Sequence, residues 1–305
     1  MKEQSVFKCG FVVLLGRPNV GKSSLINALL REKVAAVSDK PQTTRNAVRC
    51  IHSSETAQIV FVDTPGVHTP RHALGNYMMN EVEEALQEVN AVCFVVEAGR
   101  NRLDPQEEQM ISILETSNLP IVLVINKIDS LRNKEAIWKT IELFQEKLRP
   151  VAVVPVSAKD AKNLDILLEE LTKILPEGDP IYPDEVLMDS TERFLAAEII
   201  REKIFALTEQ EVPHSVAVVV EDFKNPEEYP ELKTAQIRAT IVVERAGQKG
   251  ILIGAKGEHL KEIGSAARLE MEERFGYPIF LELWVKVKPG WRKSPDELRR
   301  LGYAF

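Results

Sequence analysis

This 305-residue chain has too few cysteines to be held together by them. Cys9, Cys50 and Cys93 are odd in number and widely spaced. That pattern fits neither a disulfide framework nor a zinc site, and predicts buried thiols in a reducing cytoplasm. Long apolar runs are missing as well. Phe11–Leu15 and Val216–Val220 are among the longest, far short of the ~20 residues that cross a bilayer. The first of them leads into Gly16-Arg17-Pro18-Asn19 rather than a small-residue cleavage site, so no secretory signal is expected. An excess of basic charge is also absent: the net charge is −7, which excludes a uniformly basic nucleic-acid coat but not a local basic patch. No internal repeat or low-complexity tract interrupts the chain. With 44% hydrophobic and 28% charged residues, wholesale disorder is excluded and the length suits about two domains.

From residue 9 to about 175, apolar β-type runs at 11–15, 58–62, 91–96, 120–125 and 151–156 alternate with helix-period segments. One such segment places Val82, Ala85, Leu86 and Val89 at i, i+3, i+4 and i+7. Short strands apolar on both faces with helices between them predict an α/β domain with a mostly parallel sheet. The stretch 176–189 carries three prolines and five acidic residues without periodicity, and marks the boundary. The expected division is a first domain at 1–178, a linker at 179–189, and a smaller α+β domain at 190–305. In the latter, a helix starting near Asp189 carries Phe194, Ala197, Ile200, Ile204 and Leu207. Strands are expected at 214–221 and 236–244, then a glycine loop, a helix through Leu260, Ile263, Ala267 and Met271, and a strand at 279–288.

Gly16-Arg17-Pro18-Asn19-Val20-Gly21-Lys22-Ser23 matches the phosphate-binding pattern G-x-x-x-x-G-K-[ST], between a strand and a helical segment as the pattern requires. Its backbone N–H groups and the helix start suit phosphates. Lys22 supplies charge to the β- and γ-phosphates, and the Ser23 hydroxyl can ligate Mg²⁺. Asp63-Thr64-Pro65-Gly66 ends the strand 58–62. There Asp63 can hold the Mg²⁺ shell through water and the Gly66 N–H can meet the γ-phosphate. Asn126-Lys127-Ile128-Asp129 ends the strand 120–125, and the Asp129 carboxylate can accept from both N1–H and the exocyclic amine of guanine, which adenine does not offer. The backbone of Ser157-Ala158-Lys159 can reach guanine O6. All four motifs sit at carboxyl ends of strands, where open α/β sheets bind ligands. The ordered set predicts a site for GTP/GDP and Mg²⁺.

Gln42-Thr43-Thr44-Arg45 lies after the first helix, where a threonine, Thr44, can ligate Mg²⁺ while the γ-phosphate is present. The same residues also suit an exposed polar turn. After Gly66 stands Val67, which cannot hydrogen-bond an attacking water. Lys22, Thr44, Asp63 and Gly66 are thus the candidate catalytic groups, and hydrolysis is expected to be slow unless another group positions that water.

Gly254-Ala255-Lys256-Gly257 is a G-x-x-G loop. Alone it also fits a plain turn; the order helix, strand, strand, helix, loop, helix, strand matches the prokaryotic type of KH module. The region 190–305 holds 18 basic and 19 acidic residues, so charge placement rather than net charge must carry RNA binding. Phe280, Glu282, Trp284, Lys286 and Lys288 alternate with an apolar set, followed by Trp291, Arg292 and Lys293. This predicts a cationic, aromatic face beside the glycine loop, with Lys286, Lys288, Trp291 and Arg292 as candidate RNA contacts. A solvated strand face with Trp284 packed on a helix remains the alternative.

In GRPNVGKS (16–23), PQTTR (41–45), DTPGVH (63–68), NKID (126–129), SAK (157–159), ILIGAKGEHLKEIG (251–264) and VKVKPGWR (285–292), the chain resembles the Era family of bacterial GTPases over its whole length. The resemblance implies a Ras-like GTPase domain joined to a C-terminal KH domain. It further implies binding to the 3′ end of small-subunit rRNA, a role in maturation of the small ribosomal subunit, and peripheral association with the inner face of the cell membrane. DNA is not an expected partner. In the resembled group that lacks the glutamine, an asparagine in the phosphate loop, here Asn19, goes with a bound K⁺. Two other readings stay open on the residues: a GTPase of tRNA modification or another assembly step whose KH-like domain contacts protein, and an RNA-binding structural protein that uses GTP to hold its shape.

Overall fold

The computed structural model describes residues 6–38, 40, 43–70, 72–209 and 212–303. Pro41 and Gln42 of the PQTTR stretch lie outside the described residues. The chain divides into two compact units, Met1–Val37 with Thr44–Pro70 and Met78–Asp189, and Ser38–Thr43 with Arg71–Tyr77 and Ser190–Phe305.

The first unit is built on β1 (Lys8–Leu15), β2 (Val48–Ser53), β3 (Ala57–Asp63), β4 (Ala91–Glu97), β5 (Ile121–Asn126), β6 (Ala152–Pro155) and β7 (Met188–Asp189), in the order β6-β5-β4-β1-β3-β2-β7. β1 pairs parallel with β3 and β4, and β4, β5 and β6 continue the parallel set. β2 runs antiparallel to both β3 and β7. Alternation along β1 explains the layering: Val12 and Leu14 point into one core with Leu25, Ile26 and Leu167, whereas Val13 and Leu15 point into the other with Phe94, Met110 and Phe144. Helices α1 (Lys22–Leu30) and α5 (Leu164–Ile174) supply the first layer; α2 (Ala73–Gln87), α3 (Pro105–Glu115) and α4 (Glu135–Leu148) supply the second. A sheet covered on both faces needs strands that are apolar on both faces, which is why the five apolar runs fall on β1, β3, β4, β5 and β6.

Two elements differ from expectation. β2, Val-Arg-Cys-Ile-His-Ser, has no apolar run; only Cys50 and Ile51 are buried, and Arg49 faces Glu88 at 3.0 Å. The proline-rich stretch is no free linker either. Gln58, fully buried on β3, accepts from the N–H groups of Ile181 (2.7 Å) and Tyr182 (2.9 Å) and donates to the Tyr182 carbonyl (2.8 Å). Cys9 N–H donates to Pro176, and Ile51 N–H to Leu187. Residues 176–189 are thereby part of the first unit and end as its seventh strand.

The second unit contains α6 (Glu192–Leu207), β8 (Ala217–Lys224), β9 (Ala235–Val243), α7 (Ala246–Ile253), α8 (Glu258–Phe275), β10 (Ile279–Val287) and α9 (Pro295–Arg300). The sheet order is β10-β9-β8, with β9 and β10 parallel and β8 and β9 antiparallel. Thr191, not Asp189, caps α6, its hydroxyl accepting from Phe194 N–H at 3.2 Å. Ile200, Ile204 and Phe205 of α6 pack with Ile237, Ala239 and Ile241 of β9 and with Ile263, Ala267 and Met271 of α8. All three cysteines of the chain are buried and free. Among the described residues no helix is long and apolar enough to cross a membrane.

Candidate nucleotide site and RNA groove

The phosphate loop is shaped by close approaches that only glycine permits. A Cβ on Gly16 would lie 2.4 Å from the Val95 carbonyl oxygen, and one on Gly21, at φ 94°, 2.5 Å from the Asn126 side-chain nitrogen. Asn19 takes a left-handed backbone at φ 65°, a conformation asparagine tolerates better than most residues. Lys22 opens α1 and is buried, its ammonium donating to the carbonyls of Gly16 (3.1 Å) and Arg17 (3.4 Å). Burial pulls its pKa down to about 8, with Asp63 opposing. Arg17 turns away to pair with Asp104 at 3.3 Å, the residue whose carboxylate caps α3.

Ser23, Thr44 and Asp63 come together from three segments. The Ser23 hydroxyl donates to Asp63 Oδ2 at 2.6 Å, Thr44 donates to the same oxygen at 3.3 Å, and the two hydroxyls are 3.1 Å apart. Asp63 is almost fully buried, and burial raises its pKa against the opposing effects of Lys22, Ser23 and Thr44. Its Oδ1 is buried without a hydrogen-bond partner. Converging hydroxyls around an orphaned carboxylate oxygen form the hard oxygen donor set that Mg²⁺ takes. Thr64 is spent on structure, its hydroxyl donating to the Leu14 carbonyl at 2.7 Å. Pro65 is buried beside it, and Gly66 is held against the phosphate loop so closely that a Cβ would lie 2.7 Å from the Pro18 nitrogen. Val67 N–H donates to the Gly16 carbonyl at 3.3 Å, and its side chain is wholly buried.

The base-binding motifs are braced by Asn126. Its amide donates to the Val20 carbonyl (2.9 Å), and its oxygen accepts from Lys127 N–H (2.8 Å) and Ala158 N–H (3.1 Å). This residue therefore ties the phosphate loop to both guanine motifs. Asp129 accepts from the Ser157 hydroxyl at 2.6 Å, which orients the carboxylate expected to read guanine. Lys127, at φ 62°, pairs with Glu97 at 3.4 Å, and Lys159 is exposed. The bracing by Asn126 and the Arg17–Asp104 pair were not visible in the motifs, because each joins residues far apart in sequence.

In the second unit the glycine loop adopts left-handed backbone at Gly254 (φ 71°), Lys256 (φ 52°) and Gly257 (φ 82°). Ala255 lies in the same turn. His259 fixes its base, with ring nitrogens 2.8 Å from the Ile251 carbonyl and 3.0 Å from that of Leu207. A groove of about 350 Å³ runs from Gly257 along Leu260, Lys261, Gly264 and Arg268 to Leu281 and Leu283. Two expectations are corrected here. The face of β10 beside the loop is that of Leu281 and Leu283; Phe280, Trp284 and Lys286 lie on the opposite face, because side chains alternate along a strand. Trp291 is fully buried, donates to the Ser215 carbonyl at 3.1 Å and stacks on Tyr303, so its ring is not offered to a base. The cations Lys286, Lys288 and Arg292 are paired with Glu221, Glu297 and Glu244 respectively.

The profile of the 50S ribosome-binding GTPase family matches residues 11–127, and that of the KH domain matches residues 211–292. The chain is 46% identical over 298 residues to GTPase Era of Geobacter metallireducens, covering 98% of each chain. It is similar to a crystal structure of an Aquifex aeolicus Era variant bound to GDP·AlF4−, at a TM-score of 0.91 and 40% identity, covering 98% of this chain and 100% of that one. It is equally similar to Era in complex with MgGDPNP and nucleotides 1506–1542 of 16S ribosomal RNA, at 0.92 and 39%, with the same coverage. The phosphate, cation and base-reading residues gathered above, followed by a KH unit, run the full length of these relatives, and the chain belongs to the Era family of GTPases.

Proposed function

We propose that this GTPase binds the 3′ end of small-subunit rRNA in the groove beside its glycine loop and acts as a nucleotide-dependent switch in assembly of the small ribosomal subunit. The groove carries the reading: a glycine-lined mouth, an apolar floor of Leu281 and Leu283, and on its wall the cations Lys261 and Arg268, the latter paired with Glu272 at 2.7 Å. Glycines permit close approach of a sugar–phosphate backbone, and apolar walls accept unstacked bases. A relative with the same two units holds nucleotides 1506–1542 of 16S rRNA. At the other site Lys22 would meet the β- and γ-phosphates, and Ser23, Thr44 and Asp63 would hold Mg²⁺. Mg²⁺ bound there neutralises charge on the phosphates. Asp129 reads guanine. The free, buried cysteines support a cytoplasmic setting.

The experiment is footprinting on purified small subunits with the wild type and Gly257→Asp. A Cβ at Gly257 meets nothing within 4 Å, so the fold survives at a cost of about 1–2 kcal/mol for the left-handed backbone. The carboxylate, however, stands where phosphate must approach. Protection of the rRNA 3′ end is expected with the wild type and lost in the variant, with GTP affinity within about threefold because sites on separate units usually behave additively. Protection confined to other RNA, or a parallel loss of nucleotide binding, would overturn the assignment.

A further inference from the structure

The segment after Asp63 must position the water that attacks the γ-phosphate, yet most of its side chains are otherwise engaged. Thr64 is bonded to Leu14, Pro65 and Gly66 have no polar side chain, and Val67 is in the core. His68 differs. Its Nδ1 lies 3.0 Å from the Gly66 carbonyl oxygen. A carbonyl can only accept, so Nδ1 carries a proton, and in the tautomer protonated there alone Nε2 holds a lone pair. That Nε2 is buried and has no hydrogen-bond partner among the described residues. A buried acceptor left unpaired is costly, so an acceptor with no partner among the described residues suits a ligand. The ring is held by the carbonyl of the very glycine whose N–H is expected at the γ-phosphate, and Gly66 itself is wedged against Pro18 of the phosphate loop.

We infer that His68 is a catalytic residue of this GTPase, its Nε2 accepting a hydrogen bond from the attacking water in place of the absent glutamine. The inference rests on GTP hydrolysis at this site. Water oxygen bonds to the γ-phosphorus while the bond from that phosphorus to the β-phosphate bridging oxygen breaks, its electron pair leaving with GDP. Both water protons end on the inorganic phosphate, so GTP⁴⁻ and H₂O give GDP³⁻ and H₂PO₄⁻. His68 orients the water and is unchanged at the end.

The test compares wild type, His68→Ala and His68→Gln in steady-state hydrolysis and in binding of a fluorescent GDP with and without aluminium fluoride, which mimics the transferring phosphoryl group. Loss of a water-positioning group costs about tenfold or more in kcat. His68→Ala is expected to show that loss with KM and GDP affinity within about twofold, and a matching loss of aluminium fluoride binding. His68→Gln restores an acceptor and is expected to recover most of both. The binding arm is read without turnover, so it separates a failure of this inference from a failure of the hydrolytic reading. A His68→Ala protein with wild-type kcat and aluminium fluoride binding would overturn it, as would an equal fall in affinity for GDP alone.

Discussion

Asp129 is the residue expected to discriminate between bases, and its surroundings make the point testable. Ser157 donates to one carboxylate oxygen, and an asparagine could accept the same bond, so Asp129→Asn keeps the loop while replacing an acceptor by a donor. Guanine presents donors at N1 and N2; two charge-assisted bonds are lost, each ordinarily about 1.5–3 kcal/mol. GTP affinity is expected to fall by about 10²- to 10⁴-fold, and xanthosine triphosphate to become the better ligand, as measured by competition against a fluorescent nucleotide. Unchanged GTP binding would remove Asp129 from the site. Asn19 offers a second residue-level test. Its left-handed backbone alone is a reason for asparagine, so Asn19→Gly preserves the conformation and deletes only the amide. Hydrolysis by the wild type is expected to be faster in K⁺ than in Na⁺, and the difference to vanish in the variant. Equal wild-type rates in the two salts would show that no K⁺ acts there.

At the scale of elements, the stretch 176–189 shows how a segment without periodicity becomes part of a sheet. Gln58 makes three bonds to Ile181 and Tyr182 and a fourth to Ser53 at 3.0 Å. Gln58→Met keeps the volume and leaves these backbone groups unpaired. A loss of about 2–4 kcal/mol is expected in denaturant unfolding, with faster exchange of the Ile181 and Tyr182 amides. Stability and exchange like the wild type would mean that β2 and β7 alone hold the segment. Nothing in the sequence distinguishes Gln58 from any polar residue in a strand, which is why the clamp was invisible there. β2 was invisible for a related reason: Arg49, His52 and Ser53 break its apolar pattern. The buried strands β1, β3, β4 and β5 were legible because two covered faces demand continuous apolar runs. The glycine motifs were legible because a close approach leaves no other residue type. The outward face of β10 was also legible as a pattern, but alternation cannot say which face the glycine loop adjoins. Nor could spacing show that Trp291 turns inward to Ser215.

The chain carries a nucleotide site in its first unit and the proposed RNA groove in its second. Ser38–Thr43 is counted in the second unit, and the next residue, Thr44, in the first; Thr44 hydrogen-bonds Asp63 and stands 3.1 Å from Ser23. Thr44 is also the residue expected to ligate Mg²⁺ while the γ-phosphate is present. The proline-bearing stretch that precedes the second unit is bonded to β2 and β3 of the first. If the nucleotide state alters RNA affinity, linkage is reciprocal: whatever factor GTP contributes to RNA binding, RNA contributes to GTP binding. Couplings of this kind are commonly about 1–3 kcal/mol, or roughly 5- to 150-fold. Protein loaded with a non-hydrolysable GTP analogue is expected to bind the 3′ rRNA segment tighter than protein loaded with GDP, within that range. The same segment should slow release of the analogue by a comparable factor. Identical RNA affinities in the two nucleotide states would leave two independent modules on one chain, and the switch would have to be abandoned while both binding sites stood.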